Sequence, residues 1–276
     1  MNNPSATFPP PVASSDSAAA RATNVSKIYG HDDSEVRALD DVTIQFEKGH
    51  FTAIMGPSGS GKSTLMHCMA GLDSLTNGSV AINGIELSGL SDRELTKLRR
   101  DQIGFVFQAF NLIPTLNSKE NIVLPLSLGG QKGDDAWIDK IIDTIGLRDR
   151  LTHRPSELSG GQQQRVAVAR ALASKPAIIF ADEPTGNLDS KTGHEVLNFM
   201  RKAVSDLGQT IVMVTHDAAN ASYADRIVFL KDGKIAGEMI APTQDRVPSP
   251  GSSNEKAEVN TTGRISASKP ISGLES

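Results

Sequence analysis

Gly56-Pro57-Ser58-Gly59-Ser60-Gly61-Lys62-Ser63 is a glycine-spaced run ending in a lysine and a hydroxyl, the residue types that hold a polyphosphate. Glycines 56, 59 and 61 let the backbone wrap phosphate oxygens, with amide N–H groups turned inward at a helix start. Lys62 brings a cation to the β- and γ-phosphates, the Ser63 hydroxyl can ligate Mg²⁺, and Thr64 extends the phosphate contacts. A second constellation is Ile178-Ile179-Phe180-Ala181-Asp182-Glu183, an apolar strand ending in two carboxylates. Neighbouring side chains on a strand point to opposite sides, so the two acids should do different jobs. In this pattern Asp182 holds Mg²⁺, usually through water, and Glu183 can accept a proton from an attacking water. The third is Leu158-Ser159-Gly160-Gly161-Gln162. Ser159 with two glycines after it opens a helix, so free N–H groups with partial positive charge face outward as a second anion site. The competing readings are a plain glycine turn, a solvated acidic turn and an ordinary serine N-cap.

These groups need rigid strands and helices behind them. Val42–Phe46 and Phe51–Met55 read as strands, the second feeding the glycine loop and then a helix from Lys62 to Ala70. Ser91-Asp92-Arg93-Glu94 has capping-box spacing and starts a helix. Ile103–Phe107 reads as a strand, and Asp135–Ile145 and Gln162–Ala173 as helices. Ala177–Ala181 and Thr210–Thr215 are apolar, β-branched runs, as expected of strands buried on both faces of a parallel sheet. Ile227–Leu230, Asp232-Gly233 and Lys234–Glu238 form a closing hairpin on a type I′ turn. The order implies an α/β fold with antiparallel strands at its edge and a mostly helical insertion near 90–160.

The chain has 276 residues, 38% hydrophobic, with a net charge of −4, a balance with no basic bias toward nucleic acid. No stretch approaches the roughly 20 apolar residues that span a bilayer; Ile122–Leu128 is short and interrupted by Pro125. No secretory leader is expected at the N-terminus. Cys68 stands alone among apolar residues, which fits a reducing compartment and a packing role. Residues 1–20 are rich in Pro, Ala, Ser and Asn and residues 242–276 in Pro, Ser, Gly, Thr and scattered charge, and both read as disordered tails around a domain over 21–241.

The glycine loop and the Leu158–Gln162 peptide, in this order, resemble the ATP-binding subunits of ABC transporters. The resemblance implies a P-loop NTPase core with a mostly parallel sheet, an antiparallel β subdomain and a helical insertion, with ATP and Mg²⁺ as ligands. It extends over about residues 22–240. It implies that His216, in Thr215-His216-Asp217, is a hydrogen-bonding linchpin at the γ-phosphate. It implies that Gln108 touches Mg²⁺ and the attacking water, and that Tyr29 stacks on adenine. Gly56–Thr64 would bind ATP, and Ser159, Gly160, Gly161 and Gln162 would cover the γ-phosphate of a second copy, in a head-to-tail homodimer.

Further stretches, including Ala38-Leu39-Asp40-Asp41-Val42, Asn111-Leu112-Ile113-Pro114, Leu124-Pro125-Leu126 and Pro184-Thr185-Gly186-Asn187-Leu188-Asp189, resemble the lipoprotein-release, macrolide-export and antimicrobial-peptide-resistance group. That group implies an integral membrane permease on a separate chain, a place on the cytoplasmic face of the membrane, and export of a macrolide-, peptide- or lipoprotein-like substrate. Ala109–Leu126 is the expected docking segment, and its Phe110, Leu112, Ile113 and Leu116 can serve as a patch or as core. A permease complex that transmits force or a signal is the alternative, followed by a soluble ABC ATPase without a membrane partner.

Overall fold

A computed structural model of the chain describes residues 17–30, 34–242, 247 and 264–265. In chain order its elements are β1 (Ala18–Tyr29), β2 (Val36–Glu47), β3 (Phe51–Met55), α1 (Lys62–Met69), β4 (Asn77–Ile82), β5 (Ile85–Glu86), α2 (Asp92–Gln102) and β6 (Ile103–Phe107). There follow α3 (Ser118–Leu128), α4 (Asp135–Ile145), α5 (Gly160–Leu172), β7 (Ile178–Asp182), α6 (Ser190–Leu207), β8 (Ile211–Val214), α7 (Ala218–Ala221), β9 (Arg226–Lys231), β10 (Lys234–Ile240) and β11 (Arg264–Ile265).

The main sheet has seven strands in the order β11-β10-β9-β3-β8-β7-β6. Strands β9, β3, β8, β7 and β6 run parallel and β10 returns antiparallel to β9. All five residues of β3 are buried, as an apolar run covered on both faces must be. Side chains alternate between two cores: Phe51, Ala53, Met55, Ile179 and Ala181 face the helical side with α4, α5 and α6, while Ile54, Ile178 and Phe180 face α1 and the second sheet. That second sheet is antiparallel, with four strands in the order β2-β1-β4-β5. The β9–β10 turn has φ 49° at Asp232 and 74° at Gly233, the two left-handed residues of a type I′ turn. Ser91 caps α2 with a full capping box to Glu94.

Three expectations need correction. Residues 18–20 belong to β1: Ala20 pairs with Phe46 and Ile82, and Ala19 and Ala20 are buried. Small side chains fit where the sheet packs against the core, so a composition poor in large apolar groups concealed a strand. The rest of the N-terminal tail assignment falls outside the described residues. On the C-terminal side Val247 is buried in the helical-side core and β11 pairs parallel with β10, so these residues depart from the tail expectation, and the rest of 243–276 lies outside the described residues. The helical insertion does not span 90–160 as one block, because β6 is the edge strand of the main sheet and Leu98 of α2 packs with Ile103. Helices α3 and α4 form the helical part, joined to the core through α5.

No helix among the described residues is long and apolar enough to cross a membrane. Pro125 lies within α3.

Candidate functional site

Strands β3, β6, β7 and β8 are parallel, so their carboxyl ends open on one edge of the sheet, where α/β folds bind ligands. The loop after β3 turns at Gly56 and re-enters a helix at Gly61. A Cβ on Gly56 would stand 2.1 Å from the Leu230 carbonyl oxygen, and one on Gly61, at φ 99°, 2.3 Å from that of Ala38. Only glycine fits either place, and the backbone between them, Pro57-Ser58-Gly59, is exposed. Ser60 is buried and its hydroxyl has no partner.

Lys62 arches over the loop and donates to the carbonyls of Gly56 and Pro57, each at 2.8 Å. An ammonium has three protons, so one remains for an anion in the loop. Burial lowers the Lys62 pKa, while the charges of Glu183 and Asp182 act in the opposite direction. Ser63 donates to Asp182 Oδ1 at 3.5 Å, which sets the hydroxyl and the carboxylate side by side. Burial raises the Asp182 pKa; the Glu183 charge adds to this, and His67, Ser63 and Lys62 oppose it. A cation between Ser63 and Asp182 would relieve that burial, so the donor set fits Mg²⁺.

Glu183 follows the last residue of β7, and its backbone adopts φ 44°, uncommon for a residue with a Cβ. Its N–H bonds to the Val214 carbonyl and its Oε1 lies 2.8 Å from His216 Nδ1. Lys62, Ser63, Asp182, Glu183 and His216 thus converge at the ends of β3, β7 and β8.

Gln108 follows Phe107, which is in register with Asp182. Its side chain donates to Asn187 Oδ1 at 3.1 Å, and its carbonyl accepts from Asn187 Nδ2 at 3.0 Å. It is therefore beside the cluster but held by Asn187. Tyr29 ends β1 with its ring 42% exposed. Its hydroxyl donates to Asp73, and the Lys27 ammonium sits 4.8 Å from the ring centre. Burial and Asp73 raise the phenol pKa, and a hydrogen bond with Thr64 lowers it, which sets the ring beside the first turn of α1.

Ser159 caps α5 reciprocally with Gln162, its hydroxyl accepting from the Gln162 N–H and its own N–H bonding Gln162 Oε1. Gly161 is pressed against Thr192, where a Cβ would come within 2.1 Å. Among the described residues no hydrogen bond joins Ser159–Gln162 to the glycine loop. The Phe110–Leu116 patch divides: Leu112 packs on the helical core, whereas Ile113 is 42% exposed.

Two buried amides had no sequence signal. Asn121, fully buried, donates to the carbonyls of Ile113, Leu116 and Asn117 and accepts from the Ile113 N–H. Gln164, also fully buried, donates to the carbonyls of Phe107 and Pro184.

A family model described as ABC transporter matches residues 39–186. An ABC transporter ATP-binding protein of Methanocaldococcus jannaschii, MJ0796, is 48% identical over 221 residues, covering 78% of this chain and 94% of its own length. The bacitracin export ATP-binding protein BceA of Halalkalibacterium halodurans is 44% identical, covering 82% of this chain and 90% of its own. The macrolide export ATP-binding/permease protein MacB of Chlorobaculum tepidum is 47% identical over 78% of this chain, which spans 33% of MacB. Among solved structures, a dimeric post-hydrolysis state of the MJ0796 cassette bound to ADP and Pi is similar with a TM-score of 0.71 and 44% identity, covering 81% of this chain and 99% of that one.

Proposed function

This chain belongs to the ABC transporter ATP-binding family, and on that premise we propose that it hydrolyses ATP in composite sites formed by two copies, driving a membrane permease on a separate polypeptide. The observation that carries the reading is the convergence of Lys62, Ser63, Asp182, Glu183 and His216 at the carboxyl ends of neighbouring strands.

The loop Gly56–Thr64 binds the phosphates through backbone N–H groups and the Lys62 ammonium. Ser63 and Asp182, with Gln108, would hold Mg²⁺, which when bound would offset phosphate charge. Glu183 orients a water whose oxygen bonds to the γ-phosphorus as the bond to the bridging oxygen breaks, and it takes one proton from that water. His216 holds the Glu183 carboxylate through Nδ1, which leaves Nε2 for a phosphate oxygen. Tyr29 presents its open face to adenine. Ser159, Gly160, Gly161 and Gln162 cap the partner copy's γ-phosphate, which accounts for two anion sites that do not meet within one copy. The relatives named for macrolide and bacitracin export favour export, at the cytoplasmic face of a membrane, with the permease choosing the substrate.

Glu183→Gln tests the reading. Shape and ATP binding are kept while the base is weakened, and turnover should fall about 100-fold or more, roughly 2.7 kcal/mol in barrier height. Loss of a negative charge beside the γ-phosphate should also trap an ATP-bound dimer, visible by size-exclusion chromatography with ATP and Mg²⁺. Near-normal hydrolysis would overturn the assignment.

A further inference from the structure

We propose that Gln164 is a positioning residue that ties the helix carrying Ser159 to both Gln108 and Glu183. The inference rests on the site roles proposed above. Gln164 lies in the second turn of α5 with no exposed surface. Its two amide protons are shared between two chain segments: Nε2 is 3.2 Å from the Phe107 carbonyl and 2.5 Å from the Pro184 carbonyl. Phe107 immediately precedes Gln108, and Pro184 immediately follows Glu183. One NH₂ group therefore grips the backbone next to each of the two residues that orient water.

Packing alone does not explain the choice of glutamine. Its neighbours in α5, Val166, Ala167 and Val168, are fully buried and apolar, and its own Oε1 is buried without a partner. A methionine would fill similar space without burying an unpaired acceptor, so the side chain is warranted by what its N–H groups hold. The ladder between β6 and β7 ends at the Phe107–Asp182 pair. Beyond it the two strands diverge into loops, and Gln164 supplies the cross-link. It also braces a strained turn, because Glu183 keeps φ 44° only while its surroundings fix it. The Val214 carbonyl holds the Glu183 N–H on one side, and Gln164 holds Pro184 on the other.

The consequence is a rigid link between the two halves of the dimer. Ser159 starts the helix that meets the partner's γ-phosphate, and Gln164 stands one and a half turns further along the same helix. Seating of α5 by the partner's nucleotide thereby sets the geometry of Gln108 and Glu183 in the copy that owns α5.

The test is Gln164→Met in the full chain, with turnover, ATP affinity and melting temperature measured together. Turnover should fall about tenfold or more, since small misplacements at a reacting centre have effects of this size or larger. ATP affinity should stay within about twofold, and Gln164→Met in the Glu183→Gln background should still form the ATP-dependent dimer. A folded Gln164→Met protein with turnover within about twofold of the parent overturns the proposal, as does a turnover loss matched by an equal loss of ATP affinity. Glu183→Gln and Ser159→Arg run alongside: activity retained in those two refutes the site reading itself, whereas their loss with normal Gln164→Met refutes only the link. If Gln164→Met does not fold, hydrogen exchange on the Glu183→Gln chain decides. Addition of ATP and Mg²⁺ should protect residues 105–112, 160–168 and 183–188 together, and protection confined to 160–168 would overturn the proposal.

Discussion

Removing the first residues of β1 should destabilise the whole domain, and the comparison is between a chain that starts at Ser17 and one that starts at Arg21. The shorter chain loses the Ser17 carbonyl, which accepts from the Lys48 N–H at 2.8 Å, and the Ala19 carbonyl, which accepts from the Asn83 N–H at 2.8 Å. It also loses the pairing of Ala18 with Glu47 and of Ala20 with Phe46 and Ile82. Each hydrogen bond contributes about 1 kcal/mol net, and each buried alanine methyl about 0.8 kcal/mol. Phe46 and Ile82, both 0% exposed, are uncovered in part, which costs about 2 kcal/mol more. Against this, four residues no longer have to be ordered, which returns roughly 1 kcal/mol or slightly more for each. The net is a loss of about 2–3 kcal/mol, or roughly 5–10 °C in Tm for a domain of this size. Thermal melting of the two purified chains, checked by urea midpoints at unchanged slope, measures the difference. ATP affinity in the cold should be equal, because Lys27 and Tyr29 lie at the other end of β1. Melting temperatures within about 1 °C of each other would refute the reasoning and return residues 17–20 to the tail.

Asp182→Asn should abolish turnover and yet raise the Tm of the nucleotide-free protein at pH 7 by about 2–4 °C per kcal/mol gained. Burial raises the Asp182 pKa in the folded protein, so the folded state binds the proton more tightly and stability falls as pH rises through that pKa. The gain from asparagine should therefore fade as the pH drops toward the unfolded carboxylate's value of about 4, and a gain that persists there would contradict the cause. Asn121→Ala should cost about 2–4 kcal/mol, because three carbonyls and one N–H lose their buried partner; an unchanged urea midpoint would show that water replaces the amide. Ser159→Arg and Lys62→Ala should each be inactive alone, and mixing them with subunit exchange should restore part of the activity. One composite site then carries both lesions and the other neither. No recovery, together with weakened ATP binding by monomeric Ser159→Arg, would mean that the signature peptide acts within its own copy.

The features legible in the sequence are those that short stretches of chain impose on themselves. The buried run Phe51–Met55, the glycines of the loop after it, the capping box at Ser91 and the Asp232-Gly233 turn each state a local backbone requirement. The two carboxylates at the end of an apolar strand were also legible, and they have different partners, Asp182 beside Ser63 and Glu183 beside His216. What the sequence alone left hidden depends on partners distant along the chain. Residues 18–20 are a strand because Phe46 and Ile82 lie across from them, and Pro125 is tolerated inside a helix within a packed helical unit. Asn121 and Gln164 carry no mark that separates them from solvated amides; their weight comes from the carbonyls that burial brings within reach. The pairing of Gln108 with Asn187 crosses 79 positions, and it arises because β6 and β7 are neighbours in the sheet. Local chain chemistry thus marked the candidate groups, while the sheet order decided which of them touch, since a side chain's partners are set by packing and not by sequence distance.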